Sequence, residues 1–326
     1  MKMENQWECR RKAARHRAGA LLTAAGLMAF CWCFFRLPHG NLQSTTFCFL
    51  SASVLFDLSA AEKRIRLLLK MAATAGLLQF EIGLFRQDKI LLAVLPPLTA
   101  WWFLRCLPRG AGCVMSIAGY LAFFAPGGFL PALDRLAEMA IGLPVVLTAT
   151  ALFHSSETEP DSKAEPFTGR EATVLALLLM TGTWISEAAK MAQGPWIMLT
   201  ILFICQFAYD SGDFSDASLV RIAAVPVGLL LGGVYMGCVT YFNYRCVWLL
   251  ILFGALGFYQ LYLTGSYFLF TVWFMMAFSV YADWSTGDCR RFHFAELLFW
   301  RSIATVIGAG LLVFFRKSFL TGSKPA

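Results

Sequence analysis

Long apolar stretches recur along this chain, each of roughly 17–23 positions, longer than the strands of globular sheets. A segment of that length crosses a hydrocarbon core of about 30 Å as a helix, because lipid offers no partner to free backbone N–H and C=O groups. The stretches also lack the alternation of a barrel strand. Composition agrees, with 58% of the 326 residues hydrophobic and only 14% charged; soluble domains sit at about 45–50% apolar. The chain reads as an all-α, polytopic membrane protein.

The stretches place spans near 18–35, 42–58, 66–85, 90–107, 111–126, 134–153, 171–189, 195–210, 219–242, 246–263, 265–283 and 297–315, twelve transmembrane helices in all. The fifth is short, and only Thr264 separates the tenth from the eleventh. Arg10, Arg11, Lys12, Arg15 and Arg17 precede the first span, which runs into "FCWCFF" without the small-residue site of a cleaved signal peptide. Basic residues beside a first span hold it on the cytoplasmic side. An even number of crossings then keeps the C-terminus, with Arg316, Lys317 and Lys324, cytoplasmic as well. Arg290 and Arg291 dissent from this orientation, since they fall on the outer side.

The net charge of +7 is therefore read as an orientation signal and as contact with anionic membrane lipid, not as nucleic-acid binding. The ten cysteines lie mostly within apolar spans and read as reduced packing residues. Cys31-Trp32-Cys33 has neither the spacing nor the histidine company of a metal site.

The stretch "HSSETEPDSKAEPFTGR", residues 154–170, is polar and rich in proline and acid, and reads as a cytoplasmic linker between membrane halves 1–153 and 171–326. Similar features follow in the same order in both halves. Gly40 opens a span reaching Asp57, followed by Ser59, Arg64 and Arg66; Gly194 opens one reaching Asp210, followed by Ser211, Asp213, Asp216 and Arg221. "RLAEMAIG" (Arg135 to Gly142) in the last span of the first half repeats as "RSIATVIG" (Arg301 to Gly308) in the last span of the second. "RIAAVPVG" gives the same spacing from Arg221 to Gly228. Two parallel six-helix repeats, a habit of transporters, are the expected architecture.

Seven residues are close to two helical turns, so each arginine shares a face with its glycine about 10 Å away. Gly142, Gly228 and Gly308 are candidates for close helix packing. An arginine near a span end either snorkels to the headgroups or faces a partner or a wet path. In the expected topology Arg135 and Arg301 stand at the outer mouth of such a path, and Arg221, Arg64 and Arg66 at the inner. Positive charge at both mouths suits an organic anion, whose carboxylate matches the guanidinium fork. Glu138 lies three residues after Arg135, so the two can pair; a buried glutamate that exchanges partners can also carry a proton. Glu81, Glu187, Asp57 and Asp210 are the other acidic candidates. Trp101, Trp102, Trp184, Trp196, Trp273 and Trp284 either line a site for flat molecules or form the interfacial belt.

Enzymatic chemistry finds no foothold. The chain has no phosphate-binding Gly-rich loop with Lys and Ser/Thr, and His16, His39, His154 and His293 form no metal pattern. No cofactor is expected. A lipid-modifying transferase is still open, since such enzymes work with an arginine and a carboxylate and leave no signature.

A small-polar turn after a span, a following Arg…Gly helix and a closing R-x-x-x-T-x-x-G helix together resemble the fusaric acid resistance and aromatic acid exporter (FUSC) superfamily. Plant aluminium-activated malate transporters share the pattern more remotely. The closing motif stands at Arg301, Thr305 and Gly308, with Met139 where the first copy departs from the threonine; the turn motif is "DSGDFSDASLVRIAAVPVG", Asp210 to Gly228. The resemblance implies a bacterial inner-membrane efflux transporter of aromatic or other organic acid anions, proton-coupled and working with a periplasmic adaptor of the membrane-fusion type. Members with sizeable cytoplasmic domains differ from this chain, which has only the linker and a short tail. A passive organic-anion channel and a non-transport membrane component, either scaffold or lipid-modifying enzyme, are the alternatives. Assembly into a homo-oligomer is compatible with each.

Overall fold

A computed structural model of the chain describes residues 2–35, 42–55, 61–153, 165–208, 213–241, 247–286 and 294–320, and no strand occurs among them. The helices are α1 (Lys2–Phe35), α2 (Leu42–Leu55), α3 (Ala61–Leu84), α4 (Lys89–Cys106), α5 (Arg109–Tyr120), α6 (Phe129–Phe153), α7 (Gly169–Ala188), α8 (Trp196–Ala208), α9 (Phe214–Tyr241), α10 (Val247–Thr264), α11 (Tyr267–Thr286) and α12 (Phe294–Leu320). Asp57, Asp210, Arg290, Arg291 and most of the expected linker, residues 154–164, lie outside the described residues.

Five of the described helices are long and apolar enough to cross a membrane: α3, α4, α6, α9 and α12. Their buried share is at most half, and their outward faces are apolar, with Leu69, Leu98, Leu130, Val234 and Phe314 all exposed. That is the inversion expected where the surrounding solvent is hydrocarbon. Two of the shorter apolar helices, α5 and α8, sit inside this shell. In α8, every residue from Trp196 to Cys205 is buried, and in α5 every residue from Ala111 to Tyr120. At 1.5 Å per residue the 13 residues of α8 reach only about 20 Å. A helix so short is stable in a membrane interior only when protein surrounds it.

Local sequence explains the breaks. The stretch expected to span 111–126 is α5 followed by a 3-10 turn, Leu121–Phe124, whose freed carbonyls are taken by Arg86: it donates to the carbonyls of Phe123, at 3.0 Å, and Ala125. The junction between α10 and α11 is one tight turn. Gly265 takes φ +69°, a conformation that only glycine adopts without strain, so the apolar run divides into two helices packed side by side. Upstream of α7, Thr168 and Glu171 form a reciprocal capping box.

Packing follows a regular order. In the first half α6 lies on α1, α2 and α3; in the second α12 lies on α7, α8 and α9. Between the halves α4 packs on α7, and α10 on α1. The α4/α7 seam is joined by Lys89–Glu187 at 3.5 Å, by the Trp101 indole donating to Thr173 at 3.0 Å, and by Arg109–Glu171, from the α5 start to α7, at 3.6 Å. The α1/α10 seam carries the Arg17 guanidinium 4.7 Å from the Tyr262 ring. α5 packs on α8 at the centre of the molecule.

Candidate functional site

Arginine 221 lies in the third turn of α9 and is fully buried. Its Nη1 donates to the Tyr267 hydroxyl at 3.0 Å, and its guanidinium carbon lies 4.3 Å from the Phe203 ring and 6.0 Å from the Trp196 ring. Nε and Nη2 have no hydrogen-bond partner among the described residues, and neither does Nε1 of Trp196, itself fully buried. Arg301, in the third turn of α12, reaches the same tryptophan. Its guanidinium carbon is 4.9 Å from the Trp196 ring and 5.6 Å from that of Phe278, and its Nε donates to Gln193 Oε1 at 3.1 Å.

The turn before α8 positions that glutamine. Lys190 adopts φ +48°, Gly194 N donates to Met191 O at 3.1 Å, and a side chain on Gly194 would collide with Ser186. Glycine at 194 thus lets the turn close against α7 and present Gln193 to Arg301.

Aromatic rings fill the remaining space. Phe270, Phe274 and Phe278 succeed one another at four-residue intervals along α11, with centroids 5.4 and 5.0 Å apart. Across from them on α8, Phe203 meets Phe274 at 5.1 Å and Trp196 meets Phe278 edge-on at 5.0 Å. Two guanidiniums therefore sit beside one aromatic column, with no carboxylate of a described residue in ion-pair range of Arg221.

Desolvating a guanidinium costs several kcal/mol. Each aromatic face returns about 0.5–2 kcal/mol and a hydrogen bond to a charged group about 1.5–3. For Arg221 these offset the cost in part. An anion at contact distance would add about 4 kcal/mol at an effective dielectric of 20, so the Arg221 guanidinium is electrostatically suited to pair with one.

The other expected site residues lie elsewhere. Arg135 is buried in α6 and donates to the carbonyls of Pro126, at 2.8 Å, and Gln79, at 3.5 Å; it closes over Gly83. This ties α6 to α3 and to the turn before α6. Glu138, one turn on, is buried and accepts from Ser44 of α2 at 3.2 Å. Arg66 is surface-exposed and pairs with Glu62 one turn earlier, at 2.6 Å; it shares nothing with the buried arginines. Glu81 accepts from Thr99 at 2.8 Å. Trp102 and Trp184 face outward, and the side chain of Trp284 lies outside the described residues.

The sequence expectation set Arg221 and Arg301 at opposite mouths of a path. In the structure both reach one ring, that of Trp196, which stands at the start of α8. Tyr267, Gln193, Phe203, Phe274 and Phe278 were not foreseen. The spacing of Phe270, Phe274 and Phe278 was the available signal.

The three glycines sit at close helix approaches. A Cβ on Gly308 would lie 2.7 Å from the Ile197 carbonyl oxygen on α8, one on Gly142 2.6 Å from Cys48 Sγ on α2, and one on Gly228 2.6 Å from the Val272 carbonyl oxygen on α11.

No group of three or more metal-binding side chains occurs among the described residues. No protein-family model matches the chain, nor does any curated protein or solved structure.

Proposed function

We propose that this chain is a multi-pass membrane transporter that moves organic acid anions, with Arg221 and Arg301 as the groups that receive the anion. The observation that carries the reading is the buried guanidinium of Arg221, whose Nε and Nη2 face no acceptor among the described residues. A channel for cations would not keep two positive charges at its core, and Arg135, which donates from both terminal nitrogens to carbonyls, is what a structural arginine looks like in the same fold.

In this reading all twelve helices cross the membrane and the halves 1–153 and 171–326 are parallel repeats. Two parallels support it: α6 packs on α1, α2 and α3 as α12 does on α7, α8 and α9, and α4 meets α7 as α10 meets α1. Gly142 approaching α2 and Gly308 approaching α8 form a third. The resemblance in the motifs around Arg221 and Arg301 adds the expectations of export across a bacterial inner membrane with cytoplasmic termini, of proton coupling and of a periplasmic membrane-fusion adaptor.

Proteoliposomes holding the purified chain and loaded with radiolabelled benzoate test the reading. Efflux above empty liposomes, stimulated by an imposed pH gradient and lost in Arg221→Gln, is expected. Efflux driven by voltage alone would reassign the chain as a passive channel. Retention equal to empty liposomes, together with an altered lipid composition in cells lacking the protein, would overturn transport in favour of a lipid-directed role.

A further inference from the structure

Glu81, in the last turn of α3, is an acid without a cation. Its Oε1 accepts from Thr99 of α4 at 2.8 Å, Oε2 is buried with no hydrogen-bond partner, and no ion pair reaches either oxygen among the described residues. Within electrostatic reach stands Tyr120, at the end of α5, fully buried, whose hydroxyl also lacks a partner among the described residues. α3, α4 and α5 pack on one another here.

The charges on the elements packed against α3 are engaged elsewhere. On α6, Arg135 donates to the carbonyls of Pro126 and Gln79, Asp134 adjoins it in sequence, and Glu138 holds Ser44. Arg86 donates to the carbonyls of the 3-10 turn. On α4, Lys89 pairs with Glu187 and Arg105 lies over Trp101. Arg109 stands at the far end of α5, with Glu171, and α2 brings no charged side chain. A buried polar atom without a partner costs about 1–3 kcal/mol, and more when it is charged. A proton relieves both faults at Glu81: it removes the charge and supplies the donor that Oε2 lacks. It needs no cavity, only the oxygen.

We propose that Glu81 is the binding site of the coupling proton, with Thr99 and Tyr120 as its positioning partners. The inference rests on the transport reading above and assigns its proton coupling to a residue. Loading forms one O–H bond at Oε2 and takes the side chain from −1 to neutral; release breaks that bond, with water as proton donor and acceptor. In the expected topology α3 ends at the outer side, and Glu81 is only half-buried, so protons enter from there. α5 links the acid to the anion: Tyr120 ends this helix, and α5 packs on α8, which holds Phe203 and Trp196 beside Arg221.

Two readouts test it. Infrared difference spectra of the purified full chain in lipid, recorded between acid and alkaline buffer, read the site without transport. The C=O band of a protonated carboxyl is expected in the parent and is expected to be missing from Glu81→Gln, whose subtraction isolates it from the other acids. Thr99→Ala, which loses the hydrogen bond to Oε1, and Tyr120→Phe, which removes the nearby hydroxyl, are expected to move the band in frequency without abolishing it. The second readout is the stimulation of benzoate efflux from proteoliposomes by an imposed pH gradient, expected to be severalfold in the parent and lost in Glu81→Gln.

The outcomes separate the two proposals. An identical acid band in the parent and in folded Glu81→Gln overturns the proton site even where benzoate efflux depends on Arg221. Where Glu81→Gln does not fold, a band left in place by both Thr99→Ala and Tyr120→Phe overturns it. A band lost in Glu81→Gln while pH stimulation persists overturns the coupling role. A band lost in Glu81→Gln with no benzoate efflux by any variant upholds the proton site and overturns the organic-anion reading.

Discussion

Two buried arginines in closely similar sequence settings differ in their hydrogen-bond partners. Arg135 donates from both terminal nitrogens, to the carbonyls of Pro126 and Gln79, whereas Arg221 donates from Nη1 to Tyr267 and leaves Nη2 as well as Nε without a partner among the described residues. Arg135→Ala is therefore expected to lower the melting temperature in detergent by several degrees, the loss of two hydrogen bonds from a charged donor being worth about 3 kcal/mol, with transport per folded molecule retained. Equal transport loss in Arg135→Ala and Arg221→Gln at full folding would contradict that division. Arg66, exposed beside Glu62, makes a pair worth about 0.3 kcal/mol, so Arg66→Ala is expected to change neither melting nor transport. At Gly308 a side chain would strike the Ile197 carbonyl, and Gly308→Leu is expected to destabilise by about 3 kcal/mol or to abolish membrane accumulation. The Arg-to-Gly spacing makes these positions stand out in the sequence. What it does not carry is the partner: nothing local to "RLAEMAIG" and "RSIATVIG" says that one arginine reaches carbonyls and the other a tryptophan ring.

Among the elements, existence was legible and burial was not. Apolar stretches locate each helix, and the division between α10 and α11 follows from Gly265. Which helices face lipid cannot be read from hydropathy, because α8, enclosed from Trp196 to Cys205, and α10, with Leu252 exposed, are about equally apolar. Length is the better clue: α5 and α8, at 12 and 13 residues, are too short to cross hydrocarbon with their faces bare to lipid and become the centre around which longer helices pack. Thr168→Ala removes one side of the box that starts α7 and is expected to cost about 1 kcal/mol, seen as a lower melting temperature in detergent with transport unchanged. No shift at all would mean that the α4/α7 seam, through Arg109 and Trp101, fixes the start of α7 without its cap.

For the whole molecule, duplication was readable in the order of motifs, while the relation between the halves was not. Sequence order says nothing of α4 meeting α7, α10 meeting α1, or α5 packing on α8. Those seams join the halves through side chains, not through the connecting chain. Co-expressed fragments 1–160 and 161–326 are accordingly expected to copurify and to restore transport; separate purification of the two would contradict the closed seams. Direct binding of radiolabelled benzoate to the purified chain tests the central claim, that Arg221 receives an organic anion. Saturable binding weakened at least about tenfold by Arg221→Gln and unaltered by Arg66→Ala is the predicted result. Binding of equal strength in the parent and a well-folded Arg221→Gln protein would contradict it.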